Sequence, residues 1–169
     1  MKRYSALLML IILSCISIRY STPKAFPGAQ SAKDTDVQKL LKSKSYQFIP
    51  QSVKTQSGRS IQISNYSLEV RNDTLISHLP YYGKAHSASI GDTEGPLNFK
   101  ATNITYTSKE GKKNNTQINI RPEDTKIDAQ EFFMTVSSSG YTNLSVRFND
   151  REPVSFYGEI TSLPVKKKR

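Results

Sequence analysis

A chain of 169 residues, 36% of them hydrophobic, can bury one substantial core but not two independent ones. Its formal charge of +10 suggests nucleic acid or an anionic membrane at first. The excess lies at the ends, however: Lys2, Arg3, Arg19, Lys24 and Lys33 precede the first acid, and Lys166, Lys167, Lys168 and Arg169 close the chain. Those nine bases leave 15 of the 24 to set against all 14 acids between Asp34 and Leu163, so the body is close to neutral and argues against nucleic acid as a partner.

The first segment, residues 1–15, reads as an export signal. Met1-Lys2-Arg3 is a charged start and Ala6 to Leu13 a short apolar run. With fewer than about 18 apolar residues, that run is too short for a stable membrane-spanning helix. No small residues stand at an A-x-A spacing after it, whereas Ile12-Leu13-Ser14-Cys15 resembles a bacterial lipobox. Cys15 is therefore the expected lipidation site, with an ordinary secretory signal and an incidental cysteine as the alternative. As the sole cysteine, it excludes any disulfide within the chain. Residues 16–33, with Ser, Pro, Gly and Lys but no apolar period, read as a flexible tether.

A single β-rich domain is expected over 34–163. Asp34 and Thr35 are candidate caps for a short helix whose Val37, Leu40 and Leu41 form an i, i+3, i+4 stripe. After Ser45 the apolar period becomes two: Tyr46 and Phe48, Ile61 and Ile63, Leu68 and Val70, Leu97 and Phe99, Ile118 and Ile120. It continues through Phe132, Met134 and Val136, then Leu144, Val146 and Phe148, then Val154, Phe156 and Ile160. Polar residues alternate with these, as in antiparallel strands with one face on a core and one in water. Asn72-Asp73, Gly111 to Asn115, Gly140 and Asn149-Asp150 supply the turns. In LNFKATNITY the parity slips between Phe99 and Ile104, which predicts a bulge or bend near 101–103. The fold expected is mainly β, with one N-terminal helix and eight or nine antiparallel strands in a meander, barrel-like or sandwich. Residues 164–169 read as a solvated basic tail, with contact to anionic lipid headgroups as the weaker alternative.

Few residues claim chemistry. His78, His86, Asp92 and Glu94 have no recognisable metal spacing, and there is no further His or usable Cys to complete a site. Ser87 beside His86 points away from it on an extended chain, and no Gly-x-Ser-x-Gly occurs. Gly83, Gly91 and Gly95 lead into a strand rather than a helix, so they make no phosphate loop. An enzyme is thus not expected and neither is a cofactor, although a hydrolase with a carboxylate pair or a purely structural lipoprotein is the alternative. The better claim is binding: Tyr81, Tyr82, Lys84 and His86 open a long loop after Pro80, and exposed tyrosines suit a sugar ring or a peptide. The expected partner is a glycan, peptide, lipid-like ligand or envelope protein. The competing reading has the tyrosines capping the core and the glycines serving turns. Five Asn-x-Ser/Thr sequons at Asn65, Asn72, Asn103, Asn114 and Asn143 read as by-products of Asn-rich turns and strand faces.

GRSIQI, LEVRNDTLISHLPYYGKAHSA, GPLNF, GYTNLSV and REPVSFYGEI occur in an order and spacing similar to a Bacteroidetes family of small exported proteins, domain-of-unknown-function family 4251. LPYYGKAHSA and VSFYG are the most specific segments, and the resemblance spans roughly residues 36 to 160. It implies export in a Gram-negative bacterium, often with a lipoprotein signal, and carries over no activity, cofactor or site residue. In that setting Asp73-Thr74-Leu75 is similar to a three-residue O-glycosylation motif, which would modify Thr74. The lack of acids in ISIRYS after Cys15 then favours anchoring on the periplasmic side. Metabolic labelling with a palmitate analogue is expected to mark the wild type and not Cys15→Ser; an unlabelled wild type contradicts the anchor.

Overall fold

The computed structural model describes residues 36–84 and 95–164. The export signal with Cys15, the tether, the caps Asp34 and Thr35, the residues His86, Gly91, Asp92 and Glu94, and the basic tail from 165 lie outside the described residues. Helix α1 covers 36–42. Val37 and Leu41, one turn apart, are buried on the barrel, and Leu40 packs partly against it. Two residues past the helix Lys44 takes a positive φ of 48° and lets the chain turn straight into the sheet. No helix among the described residues is long and apolar enough to cross a membrane.

Ten strands follow: β1 (Ser45–Lys54), β2 (Ser60–Gln62), β3 (Ser67–Arg71), β4 (Thr74–His78), β5 (Asn98–Ala101), β6 (Ile104–Glu110), β7 (Thr116–Pro122), β8 (Ala129–Val136), β9 (Tyr141–Phe148) and β10 (Val154–Thr161). They form one antiparallel sheet in the order β5-β4-β3-β1-β10-β9-β8-β7-β6, with β2 also on β1. These ten segments occupy eight strand positions. β2 and β3 pair with the two halves of β1 and act as one strand interrupted where Asn65 takes a φ of 66°. β5 and β6 stand at opposite ends of the sheet order, yet only Thr102 and Asn103 separate them in the chain. One kinked strand thus pairs β4 with its first half and β7 with its second, and joins the two sheet edges covalently. The sheet curls into a nearly closed barrel, with the predicted parity slip at this kink and the meander preserved.

Among the described residues the interior is closely packed. Tyr46, Phe48, Leu68, Ile118, Phe132, Met134, Leu144 and Phe156 are among the side chains lost entirely from solvent. Each such residue contributes on the order of 1.5–3 kcal/mol by leaving water. Eight strand positions enclose a space that side chains alone can fill. The rings of Phe99 and Phe132 meet edge to face with centroids 5.9 Å apart. The Tyr46 and Tyr106 hydroxyls lie 3.4 Å apart, and burial raises the Tyr46 phenol well above its usual range. α1 covers one end, where a Cβ on Gly140, at a φ of 91°, would crowd Val37, while Leu79 and Leu97 close the other, the foot.

The pairing of β1 with β10 is locally irregular. Register shifts between Pro50 and Ser52, so a bulge admits a proline into a strand flanked on both sides. Opposite Pro50 stands Gly158, where a Cβ would overlap the Ile49 carbonyl oxygen. The glycine of VSFYG is thereby explained as a backbone close approach. Gly158→Ala is expected to lower stability by about 1–3 kcal/mol in denaturant unfolding; an unchanged midpoint would contradict this geometry.

Candidate functional site

Three chain segments meet at the foot of the barrel: the start of the 79–97 connection, the 123–128 connection and the β9–β10 turn. Tyr81 fastens the first to the last. Its ring meets Phe148 edge to face at 5.1 Å, and the Arg151 guanidinium lies 5.7 Å from the ring centroid. Its hydroxyl, 3.0 Å from the Lys84 carbonyl and 3.1 Å from that of Glu152, shares its hydrogen between them. Lys84 N–H donates to the Glu152 carboxylate, and Glu152 N–H donates back to the Lys84 carbonyl. Arg151 is held in turn by Asp128 at 2.6 Å. A Cβ at Gly83 would overlap the Tyr81 hydroxyl, so this glycine makes room for the pin.

The four residues expected to form a contact surface therefore divide. Tyr81 is half-buried and structural, Tyr82 and Lys84 stand exposed, and His86 lies outside the described residues. His78 ends β4, with Nδ1 3.3 Å from the Asn98 side-chain oxygen and its ring 5.5 Å from Tyr66. Among the described residues, no group of three or more His, Cys, Asp or Glu could hold a metal ion. Thr74 is half-buried as the first residue of β4, just past Asn72 at a φ of 53°. Asn65 and Asn114 also have positive φ, so three of the five sequon asparagines sit where asparagine tolerates a left-handed backbone.

A second feature of the foot was not legible in the sequence. Across the outer face run Thr105 of β6, Arg121 of β7, Glu131 of β8 and Arg147 of β9, with Thr105 paired to Arg121 and Glu131 to Arg147. A register shift between Ala129 and Glu131 accompanies the outward turn of that carboxylate. One Glu131 oxygen accepts from Arg121 Nη2 at 2.8 Å and from Asn119 Nδ2 at 2.5 Å; the other accepts from Arg147 Nη1 at 3.3 Å. The Glu131 side chain is only 15% exposed, against 61% for Arg121 and 73% for Arg147. Arg121 is thus tethered through both Nε and Nη2 and Arg147 through Nη1, and each guanidinium presents its remaining N–H groups to water.

These residues line a groove of about 680 Å³ open to solvent, with Glu123, Asp124 and Asn149 at its rim. Thr105 donates to Glu123 at 2.5 Å. The Asn119 side-chain oxygen beneath is buried and unpaired. Hydrogen bonds from Arg121 and then Asn119 hold the Glu131 carboxyl below its usual range, with burial opposing them. An acid so depressed is ionised at neutral pH and unsuited to act as a general acid. What the arrangement offers is fixed donors and acceptors on rigid strands. Sequence reasoning passes over it because each residue, alone, looks like a solvated strand position.

A carboxyl depressed in the folded state stabilises above the ordinary glutamate range, about 4.3, and loses that contribution as pH falls through its lower folded value. The stability gap between wild type and Glu131→Gln is therefore expected to be widest above about pH 5 and to close in acid. A gap constant from neutral pH to pH 2 in urea titrations would contradict the ion-pair geometry.

Comparison with known proteins places this geometry in a family. No curated protein matches the chain. The crystal structure of a DUF4251 family protein from Bacteroides eggerthii is similar, with a TM-score of 0.56 over 79% of this chain and 91% of that one. At 13% identity the likeness is one of fold. The family model described as a domain of unknown function, DUF4251, matches residues 29–160, well over half of the sequence. The chain belongs to the DUF4251 family.

Proposed function

We propose that the protein is a non-enzymatic binding module of the cell envelope, exported by residues 1–15 and held on the periplasmic side of a membrane by lipidated Cys15. Its ligand or partner, a polar glycan, a peptide or an envelope protein, sits in the groove of Arg121, Glu131 and Arg147. The observation that carries this reading is the Glu131 carboxylate, which holds two exposed guanidiniums in place at the mouth of a solvent-open groove. Surface ion pairs alone contribute little to stability. Donors fixed before a ligand arrives lose little freedom when it binds. Tyr82 and Lys84 stand exposed at the same end of the barrel.

The packed interior supports an external site, since the inward Phe, Leu, Ile and Tyr side chains among the described residues are lost from solvent, as in a barrel filled by its own side chains. Pull-down of the anchored protein from its own envelope, followed by mass spectrometry of glycans and proteins, is expected to recover a partner. Arg121→Ala with Arg147→Ala is expected to reduce that recovery at least tenfold, because charge-assisted hydrogen bonds contribute about 1.5–3 kcal/mol each. Equal recovery by a folded double variant would contradict the proposal.

A further inference from the structure

The groove carries both signs of charge, held apart. Arg121, Glu131 and Arg147 run as a row across β7, β8 and β9, whereas Glu123 and Asp124 follow the end of β7 and stand exposed at the rim. Glu123 N–H still donates to the Asn103 carbonyl, so the ladder continues and Glu123 keeps the outward side that Arg121 has. Both acids are fixed from within the chain: Glu123 accepts from the Thr105 hydroxyl at 2.5 Å, and Asp124 from Lys126 N–H at 3.0 Å. Each carboxylate keeps a second oxygen with acceptor capacity. Strand spacing puts Arg147 about 10 Å from Arg121, and strand rise puts Glu123 about 7 Å beyond Arg121, hence about 12 Å diagonally from Arg147. Ile127, half-buried among the lining residues, adds apolar surface.

We infer, on the basis of the groove reading proposed above, that its ligand is a short peptide with both ends free. The carboxylate lies on Arg121 and Arg147, and the ammonium on Glu123 and Asp124. Guanidinium N–H groups pair with a carboxylate in parallel, and an ammonium has three donors to share between two acids. A neutral sugar would cover these exposed charges without matching them. A ligand of one sign would meet like charge on one side of the groove. A free amino acid, its two charges within about 4 Å of each other, is too short to reach both. An extended tripeptide spans about 10 Å, which is the interval between the arginines and the acids. A side chain between the two ends then has Ile127 to pack against.

Calorimetric titration of the full chain at neutral pH and low salt tests this with the tripeptide Ala-Leu-Ala and its N-acetylated, C-amidated and doubly blocked forms. The free peptide is expected to bind, and either single block to weaken binding at least tenfold. Free alanine and the doubly blocked peptide are expected to give no heat of binding. Glu123→Gln with Asp124→Asn keeps shape and acceptors, and is expected to make the free and acetylated peptides bind alike. The peptide series needs no substitution, so a variant that fails to fold leaves the test intact. Equal binding of the free and doubly blocked forms overturns the inference, as does no binding by any of the peptides. If no peptide binds while the envelope partner is still recovered only through Arg121 and Arg147, the peptide assignment fails and the groove reading stands. If recovery is indifferent to the arginines, both fail.

Discussion

The antiparallel pairing of β1 with β10 is the interaction on which the rest of the molecule depends. It brings the first and last strands together, through a bulge that only Pro50 opposite Gly158 accommodates. Once that zip is closed, the sheet has two free edges, β5 and β6, and these belong to one kinked strand. Closure is therefore covalent on one side and hydrogen-bonded on the other. A barrel closed in this way has an interior of fixed size, which Tyr46, Phe48, Phe132, Phe156 and their neighbours fill. Such a closed, long-range arrangement rewards the chain only after distant segments meet.

A packed interior is why the proposed binding is placed on the outer face, and the same constraint sorts the residues that the sequence makes conspicuous. Tyr81 and Gly83 fasten the foot: the phenol bonds to backbone on two segments, and the glycine leaves it room. In the groove the roles are reversed, with Glu131, nearly hidden, bonding two arginines that face solvent. A conspicuous aromatic pair thus turns out half structural, while three dispersed charged residues assemble into a polar site.

Much of the fold was legible because it rests on local periodicity. The Val37, Leu40 and Leu41 stripe gave a helix, and period-two runs such as Phe132-Met134-Val136 gave strands whose apolar members are the core. The parity slip after Phe99 marked the break between β5 and β6 at Thr102 and Asn103. Ten segments arise where eight or nine strands were expected because the β2/β3 and β5/β6 positions are each interrupted. The choice of a barrel over a sandwich was illegible, since it depends on β1 meeting β10 more than a hundred residues later in the chain. Register hid the groove for the same reason: nothing local tells that Arg121, Glu131 and Arg147 share a row.

The central claim is that a closed, filled barrel binds on its outside. Residue-resolved NMR of the folded domain, titrated with the envelope fraction it retains, tests this most directly. The account predicts shifts at outward positions of β7 to β10 and of the foot, such as Arg121, Glu131, Arg147 and Asn149, while Phe132, Met134 and Leu144 keep their resonances. Shifts concentrated on those interior side chains, with the outer rows unmoved, would contradict it.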